Sequence, residues 1–319
     1  MKKGLLASVM ALALCFGGCA QPSEPAPVTQ PYQAQQASAY EKIGDRFCAM
    51  DPAQLGAVGS EWMIVGLAQS GRLSREAAQT YVQSAQDYVA QIGSSRLHKS
   101  KCTANVRVIL ALTAAGADAT DVAGFHLLEG LSDMTYVTKQ GLNGPIWALI
   151  ALDCAGYAPV APMTRQALVD KILSAQNEDG GWSLTAGESD PDVTAMALQA
   201  LAPYREQAAE PVERALSYLS GAQSEDGGYE AYGLSTSETC AQVIVALTAL
   251  DIDPDGDARF VKNGNSVLDA LLAFAVEEGF CHTLDTPKLD NVATEQGYYA
   301  LVAYHRFLNG GGALYDMTK

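Results

Sequence analysis

Polar and acidic residues recur near the beginnings of apolar, helix-forming segments along this chain. These residues are Glu61, Asn105, Arg107, Asn143, Trp147, Asp190, Asp192, Glu238, Gln242, Glu295 and Gln296. Taken singly, a carboxylate at a helix start caps free backbone N–H groups and suits the positive end of the helix dipole. If the helices start at one common opening, polar groups around an apolar well form a pocket for a small molecule. The ligand-binding residues that this pattern predicts are Glu61, Asn143, Trp147, Asp190, Asp192, Glu238, Gln242, Glu295 and Gln296.

These residues occupy corresponding positions in an internal repeat. Residues 167–204 and 215–252 are close copies, and in each a helix-forming stretch ends in Gln-x-x-Asp-Gly-Gly-aromatic before a second, apolar stretch begins at an acidic residue. Gln176–Trp182 corresponds in this way to Gln223–Tyr229. Weaker copies of the apolar stretch are anchored on Leu67, Leu112, Leu152, Leu201, Leu247 and Leu301. Repetition at this period is typical of architectures built from one recurring supersecondary unit.

Amphipathic stretches lie between the apolar ones, for example over residues 74–92 and 264–278. Their apolar residues recur three and four positions apart, so each helix has one face to bury. Six apolar helices alternating with six amphipathic ones predict an all-α fold, an α/α6 toroid of six helical hairpins with inner and outer helix rings, over residues 41–319. The glycines of the repeat end one helix, and Trp182 and Tyr229 are expected to fasten neighbouring hairpins.

The segments QNEDGGW and QSEDGGY resemble the repeat motif of the terpene cyclase and protein prenyltransferase superfamily. Members of that superfamily are α6/α6 toroids, so the resemblance supports the same fold here. Residues 190–204, 239–254 and 293–310 look most like bacterial surface proteins with squalene cyclase-like repeats. Those proteins are similar to the helical domain of intrinsic factor and transcobalamin.

The resemblance to class II terpene cyclases implies a catalytic role for Asp192, with Asp190 beside it. Asp190-Pro191-Asp192-Val193 is similar to their Asp-x-Asp-Asp motif, in which the middle carboxylic acid protonates an alkene. Because an alkene is a very weak base, its proton donor must be kept protonated by its surroundings. Val193 replaces the last aspartate of the motif. Both aspartates are also good helix caps, and the sequence favours that role.

The resemblance to protein prenyltransferases implies a zinc site as an alternative. Glu238, Cys240 and His282 supply carboxylate, thiolate and imidazole, which are proper zinc ligands. His282 lies before the next apolar helix rather than on it, unlike the histidine of that family. The sequence therefore favours no metal and no catalytic residues.

Three functional hypotheses remain. The favoured one, by resemblance to the cobalamin carriers, is an exported, lipid-anchored protein that binds cobalamin or another corrinoid at the toroid mouth, with a separate partner chain supplying the other half of the clamp. The second is a terpene cyclase or prenyltransferase-type enzyme that acts on an isoprenoid with Asp192 as general acid. The third is a non-catalytic, protein-binding surface module.

The N-terminal segment predicts export. Lys2 and Lys3 precede an apolar run, residues 5–16, that is too short to span a bilayer and ends in small residues before Cys19. We expect a lipoprotein signal peptide over residues 1–18, lipid on Cys19 and a disordered, Pro- and Gln-rich tether over residues 19–40. The predicted location is extracytoplasmic and membrane-anchored.

The net charge argues against one class of function, and the cysteine content bears on disulfide pairing. The formal net charge is −16, and no cluster of Lys and Arg could neutralise phosphates, so nucleic-acid binding is not expected. Outside the cytoplasm some cysteines should pair, although an odd number leaves one thiol free. Cys154 is the expected free, buried thiol, and a Cys240–Cys281 disulfide is one open possibility. The cysteines of the folded body are Cys48, Cys102, Cys154, Cys240 and Cys281.

Overall fold

The computed structural model describes residues 31–231 and 233–318. Its α-helices are α1 (Pro31–Cys48), α2 (Pro52–Leu55), α3 (Glu61–Gln69), α4 (Arg75–Ile92), α5 (Thr103–Ala114), α6 (Met134–Val137), α7 (Asn143–Asp153), α8 (Arg165–Leu173), α9 (Pro191–Leu201), α10 (Ala209–Ala222), α11 (Ser237–Ala249), α12 (Val267–Ala273) and α13 (Asn291–Leu308). Its strands are β1 (Glu230–Ala231), β2 (Leu234–Ser235), β3 (Val261–Lys262), β4 (Asn265–Ser266), β5 (Ala275–Val276), β6 (Gly279–Thr283) and β7 (Thr286–Asp290).

The apolar helices form a closed inner ring. Each of α3, α5, α7, α9 and α11 packs against the next, and α13 packs against both α11 and α3. Because the ring is closed, its helices are buried on nearly every side. In α7, for instance, residues 144–152 are buried without interruption. The predicted α/α toroid is confirmed.

The amphipathic elements cover the ring from outside. Helices α4, α8, α10 and α12 pack on α5, α7, α9 and α11 respectively, while α1 packs on α13 and α3. The outer element of the third hairpin is reduced to a 3₁₀ turn, Leu127–Leu131, and the four-residue helix α6. Helix α4 shows why the outer elements form as they do: Ser74 caps it, Gly93 ends it in the left-handed conformation, and its buried residues lie on one face.

The turns with the Gln-x-x-Asp-Gly-Gly-aromatic motif join consecutive hairpins. The side-chain amide of Gln176 donates to the carbonyls of Gly180 and Pro211, both at 2.8 Å, so the turn is tied to the next outer helix. Gln223 repeats this arrangement with Gly227 and Phe260. Trp182 and Tyr229 are fully buried, as expected of fasteners.

Two glycines of these turns cannot be replaced without strain. Gly180 and Gly227 have φ angles of 92° and 84°, in the region that favours glycine. A Cβ on Gly180 would lie 2.6 Å from the carbonyl oxygen of Arg214, and one on Gly227 would lie 2.4 Å from that of Ser266. The second glycines of the motif, Gly181 and Gly228, do not have φ angles in that region.

We call the turns that carry Trp182 and Tyr229 fastening turns. A third turn of this kind precedes α13, and the sequence did not predict it. The backbone N–H of Phe280 donates to Thr294 Oγ1 at 3.0 Å, as that of Trp182 donates to Thr194 Oγ1 at 2.9 Å. Phe280 belongs to the antiparallel sheet β5–β6–β7. These strands are too short for an alternating pattern to stand out, so the all-α prediction omitted them.

The first helix begins earlier than predicted. Residues 31–40 were assigned to the disordered tether, but they form the first part of α1. Tyr40 stacks on His305 of α13 with ring centroids 4.7 Å apart, which gives this segment a packed partner. The predicted signal peptide, the lipidated Cys19 and the rest of the tether lie outside the described residues. None of the helices described here is both long and apolar enough to cross a bilayer.

The five described cysteines are all free, so the expected pairing, including Cys240–Cys281, is wrong for this structure. Four of them are buried, and Cys154 is among these as expected. Their thiols are used locally: Cys281 Sγ donates to the carbonyl of Phe274 at 3.3 Å, and Cys154 Sγ to that of Ala151 at 3.3 Å. These two thiols therefore bond to backbone carbonyls instead of to another cysteine.

Candidate functional site

The inner helices begin around one opening, and side chains from their N-terminal halves line a cavity of about 280 Å³, which we call the mouth cavity. It is lined by Trp62, Thr103, Val106, Arg107, Asn143, Trp147, Asp192, Met196, Glu238, Gln242, Gln296 and Tyr299. The structure thus brings together six of the predicted site residues: Asn143, Trp147, Asp192, Glu238, Gln242 and Gln296. Glu61, Asp190 and Glu295 lie at the same helix starts but outside this lining.

Asp190 is the N-cap of α9. Its carboxylate accepts the backbone N–H of Val193 at 3.0 Å, and its own N–H donates to the carbonyl of Trp182 at 2.8 Å. Burial raises the pKa of this carboxyl, although the capping hydrogen bonds oppose the rise. The capping role that the sequence favoured is therefore confirmed for Asp190, which also ties the fastening turn to the helix that carries Asp192.

Asp192 differs from Asp190 because its carboxyl faces the cavity without a partner. Its Oδ1 atom is buried and has no hydrogen-bond partner among the described residues. Burial, followed by the charges of Asp190 and Glu238, raises the pKa of Asp192 from 3.8 to about 7. A carboxyl with this pKa is largely protonated just below neutral pH, so Asp192 can donate a proton into the cavity. Val193, in the position of the missing aspartate, is buried in the core.

Glu238 and His282 meet, but they do not form a metal site with Cys240. His282 Nδ1 lies 2.9 Å from both carboxylate oxygens of Glu238. Cys240 is fully buried, and its thiol accepts the backbone N–H of Tyr229, as Thr194 accepts that of Trp182. The zinc alternative is therefore wrong for Cys240. No three metal-ligating side chains come together anywhere in the described part of the chain.

A second acidic group surrounds Arg107 on the opposite side of the mouth. Glu61 is buried and accepts the backbone N–H of Gly59 at 2.8 Å, with Arg107 Nη1 3.8 Å from its other oxygen. Burial and the charge of Glu61 raise the pKa of Glu295 to about 7, while Arg107 opposes the rise. Glu61 thus serves its own helix start and lies beside Arg107, while its Oε2 atom has no hydrogen-bond partner in the described residues. Its predicted contact with a ligand stays a prediction.

Aromatic rings form the wall of the mouth cavity. The rings of Trp62 and Trp147 have centroids 5.3 Å apart, and Trp62 lies 5.8 Å from Tyr299. The indole Nε1 of Trp147 donates to the sulfur of Met196 at 3.3 Å. Because the faces of aromatic rings attract cations, this wall suits a ligand or intermediate that carries positive charge within an apolar skeleton.

The predicted ligand residues Gln242 and Gln296 bind each other. Gln242 Nε2 donates to Gln296 Oε1 at 3.0 Å and to the Tyr299 hydroxyl at 2.8 Å, and Gln242 Oε1 accepts from Gln199 Nε2 at 2.8 Å. This network links α9, α11 and α13 across the ring. By contrast, Oδ1 of Asn143 is buried without a partner in the described residues, which leaves it available to a ligand.

Sequence reasoning missed Trp62, Met196 and Tyr299, although a signal for two of them was present. Residues three or four positions apart share one helix face. Met196 follows Asp192 by four positions and Tyr299 follows Gln296 by three, so both continue the face that carries a predicted site residue. Trp62 directly follows Glu61, and only the packed structure shows that it turns toward the cavity while Glu61 turns away.

The two raised carboxyl pKa values predict that stability falls as pH rises. Asp192 and Glu295 hold protons in the folded state at pH values where the unfolded chain has lost them, so unfolding is disfavoured most at low pH. Between pH 5 and pH 8 each group should lower the free energy of unfolding by roughly 2 kcal/mol. Urea denaturation at both pH values measures the change. Asp192→Asn and Glu295→Gln should each reduce this pH dependence of the free energy of unfolding. If neither variant reduces it, the raised pKa values do not belong to these two carboxyls.

Comparisons with known proteins support the fold. No family model matches the chain. Protein geranylgeranyltransferase-I from Candida albicans, solved in complex with GGPP, superposes with a TM-score of 0.57 and 14% identity, covering 87% of both chains. An ent-copalyl diphosphate synthase from Streptomyces platensis superposes with a TM-score of 0.52 and 19% identity, covering 78% of this chain and 50% of that one. The chain therefore has the α/α toroid fold that these prenyltransferases and terpene cyclases share.

One curated protein is similar in sequence. Drimenyl diphosphate synthase from Streptantibioticus cattleyicolor is 30% identical over 172 residues, which are 51% of this chain and 30% of that protein. The chain thus spans less than a third of that relative and half of the ent-copalyl diphosphate synthase.

These findings correct the favoured functional hypothesis. The chain was expected to be a carrier of cobalamin or another corrinoid, but the sequence relative and the solved structures it resembles are isoprenoid enzymes. The mouth cavity agrees with the correction: about 280 Å³ lies just below the usual range for drug-sized ligands, and a corrinoid is larger still.

Proposed function

We propose that this protein is an isoprenoid enzyme that starts its reaction by protonating a carbon–carbon double bond with Asp192. The observation that carries the proposal is the state of the Asp192 carboxyl: buried, unpartnered at Oδ1 and raised in pKa to about 7, at the wall of an aromatic-lined cavity. The sequence similarity to a drimenyl diphosphate synthase supports an isoprenoid as the substrate class.

The reaction follows from the groups around the cavity. The neutral Asp192 carboxyl transfers its proton to one alkene carbon, which leaves the other carbon positively charged. Trp62, Trp147 and Tyr299 line the cavity and supply aromatic rings, whose faces can stabilise such a charge. Attack by a second double bond of the same molecule then forms a carbon–carbon bond. Loss of a proton from a neighbouring carbon ends the reaction, so the product is an isomer of the substrate.

Two neighbouring carboxyls set the acidity and complete the proton balance. Burial is the largest cause of the raised pKa of Asp192, and the charges of Asp190 and Glu238 add to it. Glu238 lines the same cavity and is held by His282, so its carboxylate is placed to accept the final proton. Arg107, at the edge of the cavity, is a cation that could hold a diphosphate headgroup.

The test is product formation as a function of pH. Purified protein is incubated with squalene, farnesyl diphosphate or geranylgeranyl diphosphate, and extracts are compared by mass spectrometry with incubations that lack protein. Because the reaction needs the protonated form of Asp192, the rate should be highest below pH 6, fall to half near pH 7 and fall about tenfold for each further pH unit. Absence of product at every pH, or a rate that increases with pH, would contradict the proposal.

A further inference from the structure

A second cavity of about 440 Å³, the rear cavity, lies behind the mouth cavity inside the same ring. It is lined by residues one helical turn further along the helices that line the mouth. On α7 Trp147 faces the mouth cavity and Ile150 the rear cavity, and on α11 Gln242 and Val245 divide in the same way. Three residues correspond to about 4.5 Å of helix rise, so on these helices the linings of the two cavities are one turn apart.

The segment after α13, residues 309–318, closes the rear end of the ring; we call it the closing segment. The backbone N–H of Met317 donates to the carbonyl of Cys154 at 2.7 Å, just beyond the end of α7. Arg306 on α13 donates to the carbonyl of Gly311. Leu314 and Tyr315 are buried inside the ring and line the rear cavity.

Tyr315 stands between the two cavities. Its ring lies 5.6 Å from that of Trp147 and 6.4 Å from that of Trp62, measured between centroids, and both tryptophans line the mouth cavity. Tyr315 itself lines the rear cavity. The side chain is therefore the partition that a long ligand entering from the mouth would meet.

The lining of the rear cavity suits hydrocarbon. Ile150, Ala200, Val245, Ala249 and Leu314 supply apolar surface. Two acidic residues also line it. Asp153 is paired, because Arg165 Nε lies 2.6 Å from Oδ1 and the Tyr204 hydroxyl donates to Oδ2 at 2.9 Å. Asp316 Oδ1 accepts the backbone N–H of Thr318 at 3.1 Å. The carboxylates at its edge thus have protein partners, whereas Oε1 of Gln199 is buried without a hydrogen-bond partner in the described residues. Apart from this atom, the space offers mainly contact with an apolar chain.

We propose that the rear cavity is a second binding pocket, for the distal end of an isoprenoid chain, and that the Tyr315 side chain closes the passage to it from the mouth cavity. This inference rests on the proposed function, since it assigns the chain length that the same site accepts. The mouth cavity alone lies just below the volume range of drug-sized pockets, whereas the two cavities together lie well within it. Tyr315 therefore selects shorter chains.

The test compares binding of two prenyl alcohols, farnesol with fifteen carbons and geranylgeraniol with twenty, by calorimetry and by the fluorescence of Trp62 and Trp147. Tyr315→Ala should increase the affinity for geranylgeraniol relative to farnesol at least tenfold. Tyr315→Phe, which keeps the ring, should leave that ratio within about twofold of the unmutated protein. If the alanine variant does not fold, Tyr315→Leu shortens the partition and makes the same comparison.

A second substitution tests the rear cavity itself. Ala249 lines it at the end of α11 and is partly exposed, so a larger side chain can be accommodated there. Ala249→Leu added to Tyr315→Ala should return the affinity ratio toward that of the unmutated protein. If both alcohols bind and Tyr315→Ala leaves their ratio unchanged, the inference about the rear cavity is wrong while the proposed function stands. If neither alcohol binds to any variant, both fail.

Discussion

Replacing Asp192 by asparagine is expected to reduce the rate of product formation by about 10²–10⁴-fold, the contribution typical of a general acid. The amide has nearly the same shape as the carboxylic acid, so it fits the same space. It cannot release a proton to an alkene, however, so the variant lacks the group that starts the reaction. Initial rates at pH 6, where the unmutated carboxyl is mostly protonated, measure the effect.

Glu295→Gln is the matched control for this experiment. Glu295 also lies near the start of an inner helix, α13, and its pKa is also raised to about 7, but it does not belong to the lining of the mouth cavity. Both substitutions remove a buried carboxyl and should increase stability above pH 7. Only Asp192→Asn should abolish turnover. Equal rates in the two variants would show that the mouth cavity is not the reaction site.

Replacing Trp182 by alanine is expected to lower the free energy of unfolding by about 3–5 kcal/mol, as for other buried tryptophans. Trp182 is fully buried, and its indole Nε1 donates to the carbonyl of Ile172 at 2.8 Å. Its backbone carbonyl also receives the N–H of Asp190, so the cavity would disturb the start of α9 as well. Urea denaturation monitored by circular dichroism gives the change.

Two further variants separate packing from hydrogen bonding. Trp182→Phe keeps an aromatic ring but removes the indole hydrogen bond to the carbonyl of Ile172, which still accepts the backbone N–H of Ala175 at 3.1 Å. A loss of about 0.5–1.5 kcal/mol is therefore expected. Trp62→Ala removes a tryptophan that is only partly buried at the mouth cavity, and it should cost less than Trp182→Ala. A Trp182→Ala protein as stable as the unmutated one would refute the fastening role of this residue.

Much of the architecture could be predicted because it is local and repeated. The Asp-Gly-Gly turns identify themselves by glycines that the backbone at Gly180 and Gly227 requires. Once copies of one helical hairpin recur along the chain, a closed ring is the arrangement that buries every apolar helix. The third fastening turn at Phe280 escaped because it keeps the backbone contact to Thr294 but not the glutamine and aspartate of the motif.

The chemistry of the individual residues could be predicted less well. Asp190 and Asp192 are two positions apart and look alike in sequence, yet one accepts a capping N–H and the other faces the cavity without a partner. Cys240 and His282 carry the right ligand types for zinc, but the helix turns the thiol toward the backbone of Tyr229. Which way a side chain points on a buried helix depends on its packing against neighbours that are distant in sequence.

The sequence by itself determined the toroid, its number of hairpins and the face on which its acidic helix starts gather, since periodicity and glycine positions act over short stretches of chain. Only the tertiary structure decided which carboxyl is left unpaired, which glutamines satisfy each other and that Tyr315 stands between two cavities. Those outcomes depend on burial and on contacts between residues far apart in sequence, such as Tyr315 and Trp62. Pattern along the chain does not encode such distances directly.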